Sequence, residues 1–321
     1  MNIPIRDKRK RRDSAVATKK KSRKKGELPY GAIQEQFTTL LTFISNKLER
    51  EPRYLNVDSS PQLFLQEFRN AYNTFHVIFF LCADTPKDPH RLKRFALSVS
   101  PLTRTLFEQL ILFVFLLEDV PAFVPWLFKT GYTETRIELE HCKKYHGQKA
   151  NWRKYIASLK KKVAHAEATY HLSAREIKNP VENIGRGPTP GLLLRVLRKN
   201  RPKSTAIPFM EYVLSWLYRE LSGQSHLNVL ELAKRGVLFS TDDAKQKFGA
   251  KWEEKREEHL EEYRQNQIFL CITIMLAMCT ELEAHFRYGK RDDIRFLWTV
   301  LNEYSDMTKD LWDTRYSALL N

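Results

Sequence analysis

The chain has 321 residues, 54 Lys/Arg against 38 Asp/Glu, and 42% hydrophobic residues, which excludes a fibrous or wholly disordered protein and suits one large helical domain or two closely packed ones. The formal charge of +16 is uneven: residues 1–26 hold 12 Lys/Arg and 2 Asp, a net of +10, leaving +6 on the other 295 residues. Nucleic acid is the partner class that this balance favours. Four cysteines, Cys82, Cys142, Cys271 and Cys279, form no CxxC pair, and all but Cys142 sit in apolar runs, the pattern of free thiols in a reducing compartment.

In chain order, the first segment is a basic tail. Its cations are clustered as Lys8, Arg9, Lys10, Arg11 and Arg12, then Lys19, Lys20, Lys21, Arg23, Lys24 and Lys25. Residues 1–26 hold too little apolar surface to offset ordering entropy, so a disordered tail is expected, without the apolar stretch of a secretory signal. Flexible cations of this number would release counterions from a phosphate backbone and give salt-dependent, sequence-independent affinity. A nuclear-import signal, an anionic-membrane anchor or a solubiliser would use the same residues.

From residue 27 to 321 the periodicity predicts an all-α multi-helix bundle. Phe37, Leu40, Leu41, Phe43, Ile44 and Leu48 mark a first amphipathic helix, stopped by Pro52. Ser60-Pro61 starts a second, through Phe64, Phe68, Tyr72, Phe75 and Phe79, ended by the 84–89 segment. Ser100-Pro101 opens a third, from Leu102 to about Glu118, apolar around almost its whole circumference and therefore central. Further helices are predicted over 122–147, 151–171, 190–200, 208–222, 254–288, 291–304 and 307–319. An internal loop covers 172–190 and is clearest at 179–190, with Gly185, Gly187, Pro188 and Pro190. Only Val237-Leu238-Phe239 hints at a strand. The apolar runs at 110–117 and 268–279 are shorter than the roughly 20 residues of a spanning helix, so no membrane segment is expected.

Two constellations carry chemistry. Arg104 and Glu108 lie one turn apart on the apolar third helix, so they must be paired or face a polar cavity. Arg219, Ser222 and His226 share a second stretch, with Tyr218 and Ser222 one turn apart and Gly223 a plausible site for a break. The Arg219-x6-His226 spacing in an all-helical chain resembles the motif of HEPN-type ribonucleases, common in bacterial toxin–antitoxin, CRISPR and anti-phage systems. The resemblance implies metal-independent action of His and Arg on a scissile phosphate, with a homodimer bringing a second copy. Arg104-x3-Glu108 with Tyr218-x3-Ser222-x3-His226 also resembles an uncharacterised family of bacterial helical domains, over about residues 60–285.

Two other pairs have related spacing, Arg69…His76 and Arg136…His141. Asn70 follows Arg69 as often happens in HEPN motifs, whereas Glu220 follows Arg219. His76 sits among apolar residues, as a satisfied core histidine would, which favours His226. Glu138, Cys142 and His146 could share a helix face as metal ligands, but nothing at diagnostic spacing completes them, so neither a metal nor a cofactor is expected. The chain lacks HExxH, Walker-type, GxSxG and GxGxxG motifs. Two basic aromatic stretches, Trp152–Tyr155 with Lys160–Lys162 and Trp252–Arg256, carry residues that stack on bases as well as residues of ordinary solvated helix faces.

The reading is an HEPN-like nucleic-acid-processing protein, a metal-independent endoribonuclease with RNA as favoured partner, cytoplasmic, or nuclear in a eukaryote. His226 would be general base, Arg104 or Arg219 would neutralise phosphate charge, Glu108 would orient the imidazole and Ser222 would donate a hydrogen bond. The alternatives are a non-catalytic helical interaction module and a tail-mediated nucleic-acid-binding protein.

Overall fold

The structure is a computed structural model, and it describes residues 30–51, 60–83, 98–225, 246 and 249–321. The basic tail, the Val237–Phe239 patch and His226 lie outside the described residues. Among the described residues there is no strand.

Helices α1 (Tyr30–Glu49), α2 (Ser60–Ala83) and α3 (Ser100–Glu118) occur where the apolar spacing places them. Then come α4 (Val120–His146), α5 (Arg153–Thr169), α6 (Ala174–Lys178), α7 (Pro180–Asn183) and α8 (Pro190–Asn200). Next are α9 (Ala206–Ser215), α10 (Leu217–Ser225), α11 (Trp252–Phe286), α12 (Arg291–Asn302) and α13 (Asp306–Leu311). A π-helical turn, Trp312–Tyr316, joins α13 to α14 (Ser317–Leu320).

The main core is built around α3 and α11, flanked by α1, α2, α10 and α12. Burial of α3 is nearly continuous from Leu106 to Leu117, as its all-round apolar sequence requires. The more deeply set helix is α11, where every residue from 267 to 283 is buried, including Gln267, Glu281 and Glu283. Thr103 Oγ1 donates to Gln267 Oε1 at 2.7 Å and pins the two helices together inside the core.

Both helices contain an 18-residue window apolar enough to cross a membrane, with mean hydropathy 1.4 for α3 and 1.6 for α11. Uninterrupted apolar runs miss them because Thr, Ser and Gln are interspersed. In the fold 61% of the α3 window and 89% of the α11 window is buried inside the protein, as in core helices.

Helix α4 belongs to two cores. Val120, Phe123 and Val124 join the main one, whereas Tyr132, Leu139 and Cys142 pack against Ile156, Leu159, Val163 and Ala166 of α5 in a satellite core. Cys142 is therefore buried like the other three cysteines, although its sequence neighbours are polar. The α4–α5 hairpin is braced near its base by Tyr132 Oη donating to Glu167 at 2.9 Å and by Lys129–Glu176 at 2.8 Å.

Two boundaries differ from the sequence pattern. The stretch predicted as one helix over 208–222 is two, broken at Trp216 (φ −126°, ψ −58°), while Gly223 stays within α10. Apolar side chains on either side of the break, Val213, Leu217 and Leu221, are spaced by four residues and all reach the main core, so the break leaves one buried stripe continuous. The predicted 172–190 loop contains α6, closed by a Ser173–Glu176 capping box, and α7, which starts at Pro180. Irregular backbone remains from Gly185 (φ +104°) to Thr189, and Gly187 N donates to Glu134 Oε1 at 2.8 Å, fastening that loop to α4.

Candidate functional site

The third helix must dispose of two ionised groups. It does so by facing them toward α10: Arg104 Nε donates to Glu108 Oε1 at 2.9 Å, and Arg104 Nη2 donates to Tyr218 Oη at 3.0 Å. Tyr218 Oη in turn donates to Glu108 Oε1 at 3.1 Å, closing a triangle across residues 110 and 114 positions apart. The Arg104 guanidinium also lies 5.3 Å from the centre of the Tyr218 ring, which stacks on Phe107. Leu217 and Leu221, buried on the inner face of α10, hold the phenol over α3.

The cluster is partly open, with side-chain exposures of 20% for Arg104 and 35% for Glu108. Burial opposes the Arg104 charge, but Glu108 and Tyr218 outweigh it and hold the guanidinium above its ordinary pKa. Burial, followed by the Glu108 charge, pushes the Tyr218 phenol up. The result is a permanently charged fork whose orientation is set by protein groups and whose edge reaches solvent.

Other predicted site residues separate. Ser222 is half-buried one turn beyond Tyr218 on α10, on the same face. Arg219 is exposed and about 100° around the helix from Tyr218, away from that face. His226 follows the last described residue of α10 and lies outside the described residues.

The rival pair differs from its sequence expectation. His76 is exposed rather than a core histidine: α2 turns Phe75 and Ile78 inward, and this rotates His76 outward. Its ring meets the Tyr72 ring edge-on at 4.2 Å, and the partial covering lowers its pKa. Arg69, two turns earlier, is exposed as well, with a loose 3.7 Å ion pair to Glu49. Arg69 and His76 therefore share an outward face.

Among the described residues, no group of three or more His, Cys, Asp or Glu is arranged to hold a metal. On the Glu138/Cys142/His146 face, Cys142 is buried in the satellite core, Glu138 accepts from Tyr155 and His146 stacks on Trp152 at 4.0 Å.

A second polar cluster has no counterpart in the sequence reading. Arg315, on the π-helical turn, donates through Nε to Glu281 Oε1 at 2.6 Å and through Nη2 to Glu281 Oε2 at 2.9 Å. Its Nη2 also reaches Glu118 at 3.4 Å, and Ser204 donates to the other Glu118 oxygen at 2.7 Å. Arg315 and Glu281 are only 5% and 3% exposed, and the guanidinium sits 5.4 Å from the centre of the Phe209 ring. The signal available was Glu281 inside the apolar run of α11, which demands a buried cation from elsewhere.

Comparisons with family models, curated proteins and solved structures return no match for this chain.

Proposed function

We propose that this chain is an HEPN-like, metal-independent RNA-processing protein of the cytoplasm, of the kind that serves bacterial defence or toxin systems, and that the Arg104–Glu108–Tyr218 cluster is part of its site. The observation that carries the reading is the convergence of these three groups from two helices into a partly open triangle, with Ser222 one turn further along α10. In this mechanism His226 takes the proton from a ribose 2′-hydroxyl and Glu108 orients its imidazole. Arg104, held by Glu108 and Tyr218, neutralises charge developing on the phosphate, and Ser222 donates to a phosphate oxygen. The resemblance behind the reading also implies a homodimer, and the basic tail would tether RNA.

The test is cleavage of labelled single-stranded RNA by the full chain and by His226→Ala, Arg104→Ala and His76→Ala. His226→Ala and Arg104→Ala are expected to abolish cleavage, with the His226→Ala melting temperature within a few degrees of the parent; His76→Ala and EDTA should leave activity intact. Full cleavage by His226→Ala, loss with EDTA, or equal cutting of DNA would reject the mechanism. Loss of cleavage only in His76→Ala would move the site to the exposed Arg69/His76 face of α2.

A second reading is favoured by the closure of the triangle itself: Arg104, Glu108 and Tyr218 satisfy one another, as a clamp fixing the register of α3 and α10 would. That reading, a non-catalytic helical interaction module, predicts no cleavage by any variant and a loss of stability in Arg104→Ala.

A further inference from the structure

Outside the tail, the largest acid-free group of cations in the sequence lies in the α4–α5 hairpin, ahead of the six between Glu182 and Glu211. Between residues 141 and 166, the distal part of the α4–α5 hairpin, there are eight Lys/Arg and no Asp or Glu. With these and the tail set aside, the rest of the chain holds 34 Lys/Arg against 36 Asp/Glu, a net of −2. The distal hairpin is thus a cationic element in a chain whose other residues beyond the tail nearly balance in charge.

Its geometry follows from the satellite core. Ile156, Leu159, Val163 and Ala166 turn one stripe of α5 toward α4. This places Arg153 with Lys160, and Lys154 with Lys161, as two-turn pairs on the outward side, all exposed. Two small exposed residues, Ala157 and Ser158, lie between them. Of the eight cations, the ion pair present among the described residues is Lys143–Glu140.

Aromatic rings interleave with this charge. Tyr145 is 55% and Tyr155 43% exposed, so two of the most exposed large apolar side chains among the described residues are at the hairpin tip. Tyr155 is held through its hydroxyl, which donates to Glu138, and Trp152 is braced against His146. The second basic aromatic stretch differs, because Trp252 is 4% exposed and belongs to the interior.

We infer that the tip of the α4–α5 hairpin is a docking surface for single-stranded RNA, with Lys154, Lys160, Lys161 and Lys162 contacting phosphates and Tyr145 and Tyr155 stacking on bases. Charge complementarity selects a polyanion, and exposed rings select one whose bases are unpaired. Within the proposed function this surface supplies substrate affinity apart from the Arg104 cluster and from the tail.

The experiment measures binding of a fluorescent 20-nucleotide oligouridylate, against salt, to the full chain and to K154Q/K160Q/K161Q/K162Q. Neutralising four phosphate contacts is expected to weaken binding by roughly tenfold or more near 150 mM salt and to make the log affinity against log salt slope shallower by about three. Tyr145→Ala should weaken oligouridylate binding about five- to tenfold, with the slope kept and duplex RNA binding unchanged. The melting temperature serves as the folding control, since these side chains are all exposed. Unchanged affinity and slope in the quadruple variant would overturn the inference, as would hairpin-dependent binding to vesicles containing phosphatidylserine with no hairpin-dependent binding to RNA. Hairpin-dependent binding in a chain that cleaves no RNA would support this surface while removing the catalytic reading.

Discussion

The molecule contains two arginine–carboxylate clusters made of the same groups at different depths. Around Arg315 the guanidinium and the Glu281 carboxylate are almost fully enclosed, with Glu118 and Ser204 half-buried at their rim, whereas around Arg104 the guanidinium, carboxylate and phenol sit at the edge of α3 and α10. A buried ion pair is costly to form and costlier to break, while a partly exposed one contributes little to stability and remains reachable by a ligand. Depth therefore assigns the first to architecture and leaves the second for recognition or chemistry.

The sharpest way to break that contrast is at Arg315. Arg315→Met is expected to cost about 3–5 kcal/mol in urea unfolding, because Glu281 would be left buried without its cation, and Arg315→Met with Glu281→Leu should recover most of the loss. A single-variant cost below about 1 kcal/mol would show that the cluster is not a structural staple.

Alkaline titration tests the same contrast. Burial, and then the Glu281 charge, hold the Tyr316 phenol well above its ordinary pKa of about 10, and burial pushes the Cys82 thiol up to about 12. Above the unfolded pKa the unfolded chain binds fewer protons than the folded one, so these groups contribute stability that is complete below that pKa and is lost as pH rises through the folded value. Unfolding free energy should fall with pH above about 9, by as much as roughly 1.4 kcal/mol per pH unit for each group retaining its proton in the fold. Tyr316→Phe should make the decline above pH 10 shallower; Tyr218→Phe should change it less, since that phenol is only half-buried.

The smallest effect is at the open cluster. Tyr218→Phe should cost about 0.5–1.5 kcal/mol, the contribution of an ordinary hydrogen bond, and should reduce RNA cleavage by loosening Arg104 rather than by unfolding the chain. A loss as large as that of Arg315→Met would make the Arg104 triangle a staple too, and would favour the clamp reading.

Most helices were legible as 3.6-residue apolar repeats, including the exact span of α8, because one buried stripe per helix is what a bundle needs. The pairing of Arg104 was legible for the same reason: two charges on an all-apolar helix require partners. The identity of the partner, Tyr218, was not legible, since nothing local says which helix crosses α3 at that height. The exposure of His76 was not legible, because apolar neighbours in sequence need not be neighbours in space when consecutive residues on a helix point about 100° apart. Trp252 was ambiguous for the converse reason: charged neighbours conceal a ring that turns inward.

By itself, then, the sequence determined the all-helical class, the positions of most helices, the concentration of charge in the tail and the need for Arg104 to be paired. These are properties of local periodicity and composition, set by which residues must leave water. Tertiary structure decided that α11 rather than α3 is the deepest helix, that the chain bends at Trp216, and that Glu118, Glu281 and Arg315 meet. It also decided that His76 and the hairpin cations face outward. Each of these depends on which faces meet across gaps of tens to hundreds of residues, and a one-dimensional pattern holds no information on those distances until packing selects one arrangement.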